Sequence, residues 1–503
     1  MMGESLKTIN AKTRFWTLFC QAALVLTPFL LLGVLSLLMQ KNAFAAYPLW
    51  TDELDYWRSL YNWDHVGFAS GYSGILEATP AAGSLSVHGL TPILLYGWFV
   101  KLFGLGPHTI LWANATWLSL GALVFCRLRK PKPLCSLWLT GLTLSYVPVV
   151  LYVFSSMTEI FNYGLLFFYL AFLLSYRESR RPWLLVLCCL ATAWACFYRI
   201  NLFLLLFPVG WAFGGERICK KTLLFWLAAL VAAAGLYWTA SRYTAPYVQG
   251  FLHNLMGAGQ WSTALQMLLS HAKINLMNYF TFYKVDPVQF TFRLLYLLAG
   301  VLCLVAAFVR MERKGKKLSL RLGTDLSYLW GFLWLFCSLT IVIFLYEVMD
   351  WADFRTLAPI LWLVPVFLFA RGKRGIPTVL LAGSLALCAV FCLQEPVGVF
   401  ADSGRFSPPE KNEQFAIVQG YVHYDEEAED PFQNSLRLDI DTRLVTELAP
   451  GIGLEYGWFS PETIGKSKWL LTDYLKLALE GYQPVYVSYG MELYQRMEDP
   501  KEE

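Results

Sequence analysis

The sequence predicts an α-helical polytopic membrane protein with a small α/β domain at its C-terminal end. Three observations carry this. Of 503 residues, 57% are hydrophobic and 15% charged, and the mean hydropathy is +0.47. Apolar runs long enough to cross a bilayer as helices recur as far as residue 394. Beyond it, residues 395–503 change character, with 21 Asp and Glu against 9 Lys and Arg.

Eleven spans are expected, at 15–39, 108–126, 134–153, 161–176, 183–198, 201–214, 222–240, 291–309, 326–346, 356–370 and 376–394. The connections then divide by charge. The short pieces 1–14, 127–133, 177–182, 215–221, 310–325 and 371–375 hold 22 Lys and Arg in 55 residues. The loops 40–107, 154–160, 199–200, 241–290 and 347–355 hold 8 in 136. The positive-inside rule places the first set, and the N-terminus, in the cytoplasm. The membrane domain is thus 1–394, and the acidic domain 395–503 is extracytoplasmic.

The first span is about 25 residues long with no clear small-residue cleavage site, so it is not read as a removable signal peptide. The window "LTPILLYGWFVKLFG" (90–104) is apolar but short and contains Lys101. It is read as an interfacial helix in the first outer loop, 40–107, because a crossing there would invert every later loop. In the other long outer loop, 241–290, "WSTALQMLLSHAKINLMNYF" has apolar residues at helical spacing and reads as an amphipathic helix, either a cap over the bundle or a gate. The eleven cysteines lie in spans or on the inner side, so neither a disulfide framework nor a Cys/His metal site is expected. In the tail, "PPEKNEQFAIVQGYVHYDEEAEDP" reads as partly disordered. "PVYVSY" reads as a buried strand, and the residues after it as a helix.

No acidic residue falls inside a span as drawn. Ion-coupled carriers keep ionisable groups near the bilayer middle, which argues against a proton-driven carrier. Charges gather instead at one membrane level. "YPLWTDELDYWRSLYNWDH" (47–65) brings Asp52 and Glu53, "SSMTEIFNYG" brings Glu159, "CFYRINLFLLLFP" brings Arg199, and "DWADFRTLAPILWLVP" brings Arg355. Arginines there suit a phosphate, through paired hydrogen bonds at low dielectric. A carboxylate beside them can take a proton from an attacking hydroxyl. The plainer readings are helix-end anchors for Arg199 and Arg355, a structural partner for Glu159, a surface pair at i,i+3 for Asp55 and Arg58, and belt residues for Trp57, Tyr61 and Trp63. His65 and His88 each read equally as plain loop residues.

The order of these motifs resembles the GT-C superfamily of membrane glycosyltransferases, notably bacterial relatives of the dolichyl-phosphate-mannose protein mannosyltransferases and of the aminoarabinose lipid A transferases. "WTDELDYW" is similar to the family's early acidic pair at Asp52 and Glu53. "VHGLTPILLYGWFVKLFGLGP" is similar to its His-Pro-Pro interfacial helix, with Leu90-Thr91-Pro92 in place of the double proline. "SSMTEIFN" resembles the second acidic site, giving Glu159, and "DFRTLAPILWLVP" the family's Arg-Tyr-Leu-x-Pro run, giving Arg355. The resemblance implies hexosyl or pentosyl transfer from a polyprenyl-phosphate-linked sugar donor to a glycan, glycolipid or protein acceptor, on the outer face of a bacterial plasma membrane. It implies Asp52 as general base with Glu53 beside it, and substrate binding by Glu159, Arg199, Arg355, His88 and Tyr198. It leaves open a divalent cation, magnesium or manganese, shared by Asp52, Glu53 and Glu159. Membrane lipid is an expected partner and nucleic acid is not. Three other classes stay open: a lipid-linked sugar flippase or transporter, an O-antigen-type ligase or polymerase, and a sensory or assembly protein whose tail binds a wall component. The second is weakened because loop 241–290 offers only Arg242, Lys273 and Lys284.

Overall fold

A computed structural model describes residues 2–71, 74–75, 88–241, 255–281, 286–314, 317–346, 353–394, 404–408, 413–438, 443–456, 467–472, 481–488 and 491–497. The protein is a helical membrane bundle carrying a small mixed sheet. Helices underlie all eleven expected spans. Among the described residues six are long and apolar enough to cross a membrane, and a bent pair counts as a seventh.

That pair is α1 (Met2–Val25) and α2 (Thr27–Met39), which meet at 67° inside the expected span 15–39. Pro28 enters the first turn of α2 and cannot donate a backbone hydrogen bond, so the ladder breaks there. The next helices are α3 (Thr51–Val66), α4 (Thr91–Phe103) and α5 (Thr109–Arg129). They are followed by α6 (Pro133–Ser145), α7 (Val147–Tyr152), α8 (Glu159–Ser179) and α9 (Pro182–Tyr198). The centre of the bundle is α8, with 89% of its membrane window buried, whereas Lys220–Thr239 has 11% buried and faces outward. α5 and α8 cross at glycines: a Cβ on Gly121 would stand 2.5 Å from the Gly164 carbonyl oxygen. Small residues let two helix backbones approach this closely.

The expected interfacial helices are present. α4 is the 90–104 window, and α3 lies against it, with the Trp63 ring over Gly97 and Lys101 Nζ 2.6 Å from Asp64 Oδ1. The helix predicted in the second long loop spans Trp261–Phe280. Its Asn275 amide donates to the carbonyls of Ile343 and Tyr346, closing the end of helix Leu326–Leu345.

Strands β2 (Val309–Lys314) and β3 (Lys317–Leu322) pair antiparallel, and the tail, with β1 (Gly74–Ile75) of the first loop, builds a six-stranded sheet in the order β1-β5-β4-β6-β8-β7. β4 (Ser435–Leu438), β5 (Gly453–Tyr456) and β6 (Trp469–Thr472) run parallel, while β7 (Tyr482–Ser488) and β8 (Met491–Arg496) are antiparallel. Two expectations are corrected. β7 holds "PVYVS" but is an edge strand with Val487 55% exposed, because the buried positions are taken by β4 and β6. The segment after it is strand β8, not a helix. The acidic stretch expected to be partly disordered contains the helix Glu413–Tyr421, which buries Val418 against the sheet. The edge strand β1 is Gly74–Ile75 of the first loop, parallel to β5. Loop and tail therefore share one sheet and, through Leu54 of α3, one apolar core.

Candidate active site

The site is assembled from chain ends of four helices. Asp52 and Asp55 sit on the first turns of α3, where carboxylates are favoured by the helix dipole. Glu159 opens α8, and Arg199 follows α9 directly. Arg355 lies in a five-residue π-helical turn, Asp353–Leu357, ahead of the helix Ala358–Ala370. Such turns displace a helix from regular winding and are frequent at functional sites.

Arg355 joins the two halves. Its Nη2 is 2.6 Å from Asp52 Oδ2, and its Nε donates to Glu159 Oε1 at 2.8 Å. Arg199 Nη2 donates to the same Glu159 oxygen at 2.7 Å and its Nη1 to Thr356 Oγ1 at 3.3 Å. The Glu159 side chain is 1% exposed, while Arg355 is 32% and Asp52 26% exposed. The arrangement is a buried anion flanked by two cations, with an open carboxylate on top. Glu159 Oε2 is buried and has no hydrogen-bond partner among the described residues. On the other side of Asp52, His88 Nε2 stands 3.6 Å from Asp52 Oδ1 and 3.8 Å from Asp55 Oδ2. The His88 ring packs 4.5 Å from Tyr56.

Burial pushes the Asp52 carboxyl up and is the largest single influence. The close polar contact with His88 and the Arg355 guanidinium together outweigh it and hold the group well below the usual carboxylate range.

Glu53 has a different setting from the one expected of it. It is fully buried, and it shares none of these partners. Its Oε2 accepts from the backbone N–H groups of Leu49 and Trp50, both at 2.9 Å. Its Oε1 accepts from the N–H of Ser156, and Arg405 of the tail donates to both oxygens at 2.8 Å. The Arg405 guanidinium also lies 4.4 Å over the Trp50 ring. Asp55 and Arg58, expected as a surface pair, are both buried. Arg58 is 2% exposed and donates to the carbonyls of Val445, Leu448, Ala449 and Ile452 of the tail. Trp57, expected in the membrane belt, is 4% exposed and donates to the Gly106 carbonyl. The side chain of Tyr198 lies outside the described residues.

Among the described residues no group of three or more His, Cys, Asp or Glu side chains is arranged to hold a divalent cation. Asp52, Glu53 and Glu159 are each engaged by an arginine instead.

An apolar groove of about 650 Å³ is lined by Leu94, Trp117, Leu165, Phe168, Trp194 and Leu236. Two of these residues stand on helices that also carry site residues: Leu165 is six residues after Glu159 and Trp194 five before Arg199. At the helical rise each interval spans about 8–9 Å. A ligand with a phosphate and a long apolar chain matches this sequence of charge and grease.

The fold and this site define a polytopic membrane protein whose polar chemistry is gathered at one end of its helices. No family model matches the sequence, and no curated protein matches it significantly. Among solved structures, ArnT from Cupriavidus metallidurans bound to undecaprenyl phosphate is similar over 95% of this chain and 97% of its own, at 12% identity and a TM-score of 0.42. Apo ArnT from the same organism is similar over 93% and 97%, at 11% identity and a TM-score of 0.40.

Proposed function

We propose that the protein transfers a sugar from a polyprenyl-phosphate-type donor to an acceptor hydroxyl at the outer face of a bacterial plasma membrane. The observation that carries this reading is Arg355 bridging Asp52 and Glu159, with an apolar groove on helices that also carry site residues. The polyprenyl chain lies in the groove and its phosphate meets Arg355 and Arg199. The phosphate competes with Asp52 for Arg355, which frees the carboxylate and raises its proton affinity. Asp52 then takes the acceptor hydroxyl proton as the acceptor oxygen attacks the anomeric carbon. The bond from that carbon to the phosphate oxygen breaks with inversion, and the arginines hold the departing phosphate. His88 orients Asp52 from its other oxygen. Glu159 keeps the two guanidinium groups in place, and no step passes through a metal. The Lys and Arg bias of the connections supports a cytoplasmic N-terminus and an outward-facing site.

The test is purified protein in liposomes, supplied with radiolabelled polyprenyl-phosphate hexose or pentose and an envelope acceptor fraction. Label is expected in the acceptor with the wild type and not with Arg355→Met. Label that crosses between leaflets without reaching any acceptor would support a flippase and overturn the transferase.

A further inference from the structure

The buried pair Arg405–Glu53 lies outside the chemistry just described, yet it touches everything that positions it. Arg405 comes from the tail segment 404–408 and is 2% exposed; Glu53 is 0% exposed. The backbone of this segment is held by Tyr47, whose N–H donates to the Arg405 carbonyl at 2.7 Å, and Phe406 packs 6.2 Å from Phe154. Through Glu53 the guanidinium controls two chain ends at once. Glu53 directly follows Asp52 and also binds the Ser156 N–H, three residues before Glu159. The start of α3 and the start of α8 are therefore stapled by one carboxylate, and one tail arginine neutralises that carboxylate. Asp52 and Glu159 must both reach Arg355, so their separation depends on this staple.

We infer that Arg405 is a positioning residue, and that the tail segment is an integral part of the active site, setting the spacing of Asp52 and Glu159 through Glu53. The inference rests on the proposed transfer reaction but adds a part of the chain remote from the membrane motifs. One guanidinium nitrogen of Arg405, Nη1, donates to both Glu53 oxygens and so holds the carboxylate's orientation as well as its charge. Displacements of about 1 Å at a reacting group reduce turnover by about 100-fold.

The experiment compares full-length protein in nanodiscs as wild type, Arg405→Lys, the double variant Glu53→Gln with Arg405→Met, and Asp52→Asn. The double variant removes both buried charges together, keeps an oxygen for the Ser156 N–H and fills the arginine's volume, so it is expected to fold. Expected for it are a near-native melting temperature, a KM for labelled polyprenyl-phosphate sugar within about twofold, and a kcat lower by about 100-fold. Arg405→Lys, which keeps the charge but loses the planar group stacked over Trp50, is expected to recover about a tenth of wild-type turnover. A folded double variant with wild-type kcat overturns the inference; should it not fold, wild-type kcat in Arg405→Lys does so. Hydrogen exchange at 51–54 and 156–160 decides independently of activity: about tenfold faster exchange in the arginine variants is expected, and unchanged exchange overturns the inference. Full turnover in Asp52→Asn overturns the role of Asp52 as general base, and no transfer by the wild type overturns the transferase reading, whereas loss in Asp52→Asn with normal turnover in the arginine variants removes only the role of Arg405.

Discussion

At Arg355 a single guanidinium holds two carboxylates of opposite setting, one open and one buried. Asp52 is therefore the group whose protonation reports the state of the site. Its pKa is held down in the folded protein, so the stability it contributes is complete above about pH 4, the usual carboxylate value, and is lost as pH falls through its folded value lower in the acid range. Melting curves are expected to show a steeper acid loss in the wild type than in Asp52→Asn. Kinetics should divide the same group by state. The acid limb of kcat/KM reports the free protein, in which Arg355 holds Asp52 down. The limb of kcat reports the complex, in which the donor phosphate engages Arg355, and is expected at higher pH. Coincident limbs would show that donor binding leaves the Asp52–Arg355 pair intact.

Among elements, α8 does most to place the site. Its first residue is Glu159, its flank lines the groove, and its glycine crossing with α5 fixes its depth. A Gly121→Leu substitution would drive a side chain into the Gly164 carbonyl, and overpacking of this kind costs about 1–3 kcal/mol. The expected result is a lower melting temperature together with weaker donor binding, whereas Leu123→Ala on the lipid-facing side, 36% exposed, leaves both near wild type. These helices were legible because a long apolar run has few alternatives to a helix. Charges in a chain this apolar also stand out, which is why Asp52, Glu159, Arg199 and Arg355 could be picked from four separate segments. The kink at Pro28 and the π-turn around Arg355 were not legible as geometry. The first depends on how α2 packs, and the second on a local winding that no residue spacing announces.

For the whole molecule, the first loop and the tail are one unit rather than two. Arg58 donates to four tail carbonyls, Asn62 bonds to Ile452 and Gly451, and β1 adds to the tail sheet. None of this could be read from the chain. An arginine that binds carbonyls nearly 400 residues away leaves no pattern at either end, and a two-residue strand is too short to signal itself. The acidic tail read as a separate small α/β domain for the same reason, though it holds Arg405. Arg58→Met leaves several buried carbonyls without a donor, at about 1–3 kcal/mol each. Limited proteolysis is expected to cut the tail of this variant faster than that of the wild type, with the membrane helices intact. The most direct measurement of the central claim is sugar transfer by Asp52→Asn, with polyprenyl-phosphate affinity measured on the same sample. The account predicts near-native affinity and a turnover lower by about 10²–10⁴-fold, the usual contribution of a general base; wild-type turnover in that variant would contradict it.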